Sequence, residues 1–180
     1  NKIKRLINKH GVGGVITFGG NVHGTFYNMN MFNSWSEIPL FIAADYERGV
    51  GQWMNYATNF PTNMAIAATN SPEFAYRQGD ITAKEAKSLG VNMVLGPVLD
   101  VNNNRNNPII NFRSYSEDQD VVSNFGYQFI RGIQDNGLLS AAKHYPGHGN
   151  TAIDSHNGLA VIDADIREVE DVHLYPFKVA

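Results

Sequence analysis

Apolar runs alternate with amphipathic runs along the chain, and several of the apolar runs end on charged side chains. A first helix is expected over Asn1 to Lys9, where Ile3, Leu6 and Ile7 share a face and His10-Gly11 supplies a stop. GGVITFGG follows and reads as a strand from Val12 to Phe18. Residues 21–37 are polar and aromatic without a clear period and read as a loop. IPLFIAAD is a short continuous apolar strand ending at Asp45. Ser71-Pro72 predicts a helix start, with Ser as cap and Pro at the first helical position. That helix carries Phe74, Ala75, Ala83, Ala86 and Leu89, with a break expected near Gly79-Asp80 and an end at Gly90. VNMVLGPVLDV reads as another buried strand. Ser114 with Glu117, or Ser116 with Gln119, fits a capping box. A helix with Val121, Val122, Phe125, Phe129, Ile130 and Ile133 at helical spacing comes next, and Asn136-Gly137 ends it. LLSAAKH is the fourth strand, and Asp165 to Phe177 predicts a last helix.

Continuous apolar strands, each followed by a helix, describe parallel βα units of an α/β fold. Asp45 and Glu47 close the second strand, Asp100 the third, and Lys143 with His144 the fourth. Parallel α/β folds bind ligands at the carboxyl ends of their strands, so these charges predict one shared site. Four strands cannot close an eight-stranded barrel, which takes about 250 residues. Long loops after the strands, and no dinucleotide fingerprint at the start, favour half of a TIM-like (β/α) barrel over a small open sheet. The final YPFKVA reads as a helix cut mid-turn. Residues 1–180 are therefore expected to be the N-terminal part of a single barrel domain whose C-terminal part lies outside them.

Composition adds exclusions. A net charge of −3 provides no basic field for nucleic acid. The absence of cysteine removes disulfide scaffolds and thiolate zinc sites. No apolar run is long enough to span a bilayer, and no signal peptide is visible.

The densest chemistry lies in KHYPGHGNTAIDSH, residues 143–156. His144, His148, Asp154 and His156 are all plausible metal ligands. However, H-x-x-x-H needs a helix to align its rings, and Pro146, Gly147 and Gly149 oppose one. GHGNTA fits a G-x-G-x-x-A phosphate loop, yet Asp154, His156, Asn157 and Gly158 stand where the phosphate-binding helix should start. A plain Gly/Pro turn is the third reading, and for His148 alone it is preferred. The fourth is acid/base work by Asp154 and His156. In an extended segment these point the same way, so the carboxylate can fix the imidazole tautomer. Lys143 and His144 would then donate hydrogen bonds to a polyhydroxylated substrate.

This stretch closely resembles the K-H-F-P-G-H-G-x-T-x-x-D-S-H signature of family 3 glycoside hydrolases, in their β-N-acetylglucosaminidase branch. ITFGGN, ADYERG, GPVLDV and FRSYSEDQD agree in order, so the resemblance covers nearly the whole chain. It implies a TIM-like barrel and retaining removal of terminal β-linked N-acetylglucosamine, from peptidoglycan fragments, chitin oligomers or simple glycosides. A β-glucosidase of the same family and a non-catalytic sugar-binding protein are the alternatives. The resemblance further implies His156 as general acid/base with Asp154 as its partner, and sugar binding by Asp45, Arg113, Lys143 and His144. No metal and no cofactor are implied.

Each residue has a plainer reading. Asp45 could cap a turn, Arg113 could pair with Glu117 or Asp118 at the surface, and Asp100 reads as a structural acceptor outside the site. Glu47 is undecided. Two departures stand out. The family's nucleophilic aspartate sits on a later strand, with no counterpart within residues 1–180. An arginine commonly stands eight residues after the first aspartate of D-x-E-x-G; here that position is Trp53, either a sugar platform or core.

Overall fold

The computed structural model describes residues 2–180. Asn1, the first residue of the expected first helix, lies outside them. Helix α1 runs over Lys2–His10, and of its expected apolar face only Ile7 is buried, with Ile3 and Leu6 exposed. Strand β1 spans Gly14–Thr17.

The expected loop over 21–37 is instead helix α2, Val22–Ser34. Asn21 caps it by accepting a hydrogen bond from the Gly24 amide at 2.8 Å. Only Thr25 and Met29 of this helix are buried, so it has no apolar stripe to betray its period.

Strand β2 is Phe41–Ala44, and the short helix α3, Asn63–Ala67, follows a long connection. Helix α4 covers Glu73–Ser88 and differs from expectation twice. Ser71 makes no side-chain cap; its carbonyl accepts the Phe74 amide to open the first turn. The helix also runs unbroken through Gly79. A Cβ there would collide with the Phe129 carbonyl, and one at Gly132 with the Tyr76 carbonyl. These glycines let α4 approach helix α5, Gln119–Gln134, at backbone distance; they are not a break.

Strand β3 retains only Met93–Val94 of the expected run. Pro97 has no N–H to give the ladder, which resumes at a Val98–Lys143 bridge and a Leu99 N–H bond to the Lys143 carbonyl. The cap of α5 is Asp118, whose Oδ1 accepts from Asp120 at 2.8 Å and Val121 at 3.1 Å, in place of either expected capping box. The predicted stops hold, since α1, α4 and α5 end ahead of Gly11, Gly90 and Gly137.

Strand β4 is Leu139–Ser140. The single last helix is divided into α6 (Ile166–Glu168), a π-helical turn over Val169–His173, and α7 (Tyr175–Val179). Pro176 cannot donate back to Val172, which separates α7 from the turn before it.

All strands are parallel in the order β1-β2-β3-β4, with Gly14 opposite Phe41, Ala43 opposite Met93 and Met93 opposite Leu139. Sequential order without reversal is the winding of a barrel; a doubly wound sheet reverses at a switch point. The molecule is thus a partial (β/α) barrel. Ile42, Ala44, Val94, Leu99, Phe129 and Ile133 are in its core. No helix among the described residues is long and apolar enough to cross a membrane.

Candidate active site

The charged strand ends form one hydrogen-bonded cluster. Asp45 follows β2 directly and pairs with the Lys143 ammonium. Glu47 is buried and joins the same ammonium at 2.7 Å. Arg113 grips Glu47 as a fork, Nε to Oε2 at 3.0 Å and Nη2 to Oε1 at 2.7 Å. Burial pushes the Glu47 carboxyl up, but hydrogen bonds and charge from Arg113 and Lys143 outweigh it and pull it down to about 2. Arg113 thus pairs inward with Glu47, not at the surface with Glu117 or Asp118.

His144 completes the cluster. Its Nε2 lies 3.3 Å from Arg113 Nη2, and its Nδ1 lies 2.6 Å from Asp100 Oδ2. Asp100 is wholly buried, and its Oδ1 also accepts the backbone amides of His144 at 3.2 Å and His148 at 2.6 Å. The Lys143–His144 peptide is cis. Asp45, Lys143 and His144 are therefore brought together as their strand ends predict, and Arg113, which only the family resemblance pointed to, joins them. Glu47 and Asp100, which the sequence left undecided or outside, hold them.

After His148 the chain loops outward under tight anchoring. The His148 ring bonds Thr151 Oγ1 within the turn. Asn107 Nδ2 donates to the His148 carbonyl at 2.7 Å, and Asn104 Nδ2 to the Asn150 carbonyl at 2.7 Å. Gly147 faces the buried His173 of the π-helical turn, where a Cβ would stand 2.9 Å from the His173 Cβ. None of residues 144–165 is helical, so His144 and His148 do not share a helix face. Among the described residues, no group of three or more His, Cys, Asp or Glu side chains is placed to hold a metal ion.

Asp154 and His156 meet through a turn, not an extended segment: the Asn157 amide bonds back to the Asp154 carbonyl at 2.9 Å. Asp154 Oδ1 accepts both the His156 amide at 2.9 Å and contacts its ring Nδ1 at 2.7 Å. Those bonds from the His156 backbone and ring hold the Asp154 carboxyl below its ordinary value. The His156 side chain is 78% exposed and that of Asp154 23%. Among the described residues, no hydrogen bond or ion pair links this pair to the strand-end cluster.

Trp53 is at the rim of the cluster. Its indole N–H donates to the Asp45 carbonyl at 2.8 Å, its ring meets Phe18 edge-on with centroids 6.4 Å apart, and it remains 41% exposed. A cavity of about 490 Å³ lies at the other end of the sheet, lined by Ile7, Val12, Trp35, Ile38 and Phe41. It is far from the carboxyl ends where α/β chemistry is built.

The chain is 40% identical over 194 residues to a beta-hexosaminidase A of Pseudoalteromonas piscicida, covering 98% of this chain and 32% of that protein. It is 34% identical over 160 residues to a beta-N-acetylglucosaminidase/beta-glucosidase of Cellulomonas fimi, covering 89% and 28%. Its fold matches that of a family 3 beta-N-acetylglucosaminidase from Paenibacillus sp. str. FPU-7 with a TM-score of 0.96 at 34% identity, over 100% of this chain and 36% of that one. The chain thus spans about a third of these relatives. Its residues 1–180 match, end to end, the family described as the glycosyl hydrolase family 3 N terminal domain, and the chain belongs to that family.

Proposed function

We propose that the protein containing this chain is a retaining glycosidase that removes terminal β-linked N-acetylglucosamine, and that residues 1–180 supply the sugar-binding cluster and the proton-transfer pair. The remaining strands of the barrel, with the nucleophilic aspartate, are expected beyond Ala180. The observation that carries this reading is the Asp154–His156 contact at 2.7 Å, on a largely exposed ring whose Nε2 has no partner among the described residues. A proton held there is available to a leaving group.

In the first step the aspartate oxygen bonds to the anomeric carbon. The bond from that carbon to the leaving oxygen breaks, and that oxygen takes the proton from His156 Nε2. In the second, water gives a proton back to Nε2 as its oxygen replaces the aspartate. Asp154 keeps Nδ1 engaged throughout, so proton exchange is confined to Nε2. Asp45, Arg113, Lys143 and His144 hold the sugar hydroxyls.

The full-length protein is expected to turn over aryl N-acetyl-β-glucosaminides with retention, read by product NMR, and the 180-residue piece alone to show none. Inversion of configuration, or turnover by the piece, would reject this mechanism. A second reading, β-glucosidase action, is favoured by the dual name of the Cellulomonas fimi relative. A higher kcat/KM for glucosides than for acetamido sugars selects it. Phosphorolysis belongs to the same site, because an imidazole repels incoming phosphate less than a second carboxylate would. A sugar 1-phosphate product in phosphate buffer identifies it.

A further inference from the structure

We propose that Asp100 is a positioning residue that fixes His144 with its proton on Nδ1, so that Nε2 faces the pocket as a hydrogen-bond acceptor. This rests on the sugar-binding reading above and assigns the direction of one of its hydrogen bonds.

Asp100 is fully buried and, among the described residues, forms no ion pair with a lysine or arginine. A buried carboxylate must be satisfied by donors, and Asp100 has three. Two are the backbone amides of His144 and His148, both on Oδ1. The third is His144 Nδ1, 2.6 Å from Oδ2. An ionised carboxylate only accepts, so Nδ1 carries a proton.

The other side of the ring gives the same answer independently. Nε2 lies 3.3 Å from Arg113 Nη2. A guanidinium only donates, so Nε2 must present its lone pair. Two neighbours on opposite edges thus demand one tautomer, and His144 is not the donor that the sequence suggested. A sugar hydroxyl reaching Nε2 must give its hydrogen, sharing that lone pair with Arg113 or displacing its long 3.3 Å contact. Lys143 and Arg113 remain the donors, and the pocket offers a mixed set that a hydroxyl can satisfy in both directions.

The same carboxylate also sets the path of the loop. Oδ1 bridges the amides of His144 and His148, which tie the Tyr145–Gly147 turn to β3's extension just ahead of the Asp154–His156 segment. Ser114 Oγ in turn donates to the Asp100 carbonyl at 2.6 Å, which joins the Arg113 segment to the same point.

Asp100→Asn separates the two roles. Its Oδ1 can still accept both amides, while its Nδ2 meets His144 as a donor. That geometry forces the proton from Nδ1 to Nε2, against Arg113. The experiment uses the full-length protein labelled with ¹⁵N-histidine, with His144 assigned by His144→Gln, and reads tautomers by two-bond ¹⁵N–¹H correlations near neutral pH. The wild type is expected to show Nδ1–H with a bare Nε2. Asp100→Asn is expected to invert the pattern and lower kcat/KM roughly 10- to 100-fold.

A wild-type ring protonated at Nε2, or an Asn variant that keeps both tautomer and activity, overturns the assignment. If Asp100→Asn does not fold, the wild-type spectrum alone still decides it. Absence of any turnover on glycosides by the wild type would reject the function proposed above, and the tautomer would still be read directly from the rings.

Discussion

The strand-end cluster and the Asp154–His156 turn are built on opposite principles. In the cluster, side chains from four separate segments interlock: Asp45 with Glu47, Asp100, Arg113, and Lys143 with His144. Their charged groups hold one another at the carboxyl ends of the strands. The Asp154–His156 pair is local, two residues apart, and closed by its own backbone, with the imidazole largely in solvent. Under the proposed roles, recognition benefits from rigidity, because hydroxyls must find donors already in place. Proton transfer needs a ring that can reach the leaving oxygen and then admit water, which suits an exposed turn. On the proposed roles, stability and catalysis separate between the two regions.

The sharpest break comes from His156→Ala. Removing an acid/base group typically costs about 10²- to 10⁴-fold in rate. The loss should be largest for alkyl glycosides, whose leaving oxygen needs the proton, and small for dinitrophenyl glycosides, which leave without it. Folding stability should stay within about 0.5 kcal/mol of wild type, since the ring is exposed and buries nothing. Asp154→Asn should follow the same ordering with a smaller loss and little change in substrate binding. A uniform loss across leaving groups in a steady-state series would remove His156 from the acid role.

Glu47→Gln tests the other region and should show the reverse balance. It leaves Arg113 and Lys143 facing each other in a half-buried site without their shared anion. Removing one member of such a pair costs about 3–5 kcal/mol. Its pH signature is distinct. The Glu47 carboxyl is pulled from 4.5 to about 2 in the folded chain, so its contribution is present above 4.5 and lost as pH falls toward 2. That shift corresponds to roughly 3 kcal/mol. Denaturant melts of the full-length protein between pH 7 and 2 should therefore converge for wild type and Glu47→Gln at the acid end. A constant gap at all pH values would show that the charge is not what matters.

The two regions also differed in how far the sequence revealed them. Strands of a parallel sheet read as unbroken apolar runs, so Asp45, Asp100 and Lys143-His144 stood out at their ends. The pairing of Glu47 with Arg113, 66 residues away, is a tertiary fact without local trace. Asp100 carried no signal beyond its place at a strand end. Helix α2 was hidden because VHGTFYNMNMFNS buries only Thr25 and Met29 and shows no stripe. Gly79 misled in the opposite sense: glycine is a poor helix former, but here close approach of α5 overrides propensity. The Asp154–His156 pair was visible as D-S-H, although the geometry that joins it is a turn in which Asp154 accepts from the His156 amide.

Trp53 has the smallest expected effect and tests where the cluster ends. Its indole nitrogen is tied to the backbone of Asp45, so the ring is fixed beside a side chain proposed to bind sugar and is not free to swing. It is also half exposed and braced by Phe18, which is a poor use of an indole as core. An aromatic face adjacent to the proposed hydroxyl-binding groups suits the apolar face of a pyranose, and such contacts are worth about 1 kcal/mol. Trp53→Ala should then raise KM roughly 3- to 10-fold with kcat little changed. The other tryptophan, Trp35, lines the cavity at the far end of the sheet, so quenching of emission by N-acetylglucosamine should vanish in Trp53→Phe and persist in Trp35→Phe. A Trp53→Ala protein that loses stability but keeps its KM would place the ring with the fold and draw the boundary of the pocket at Asp45.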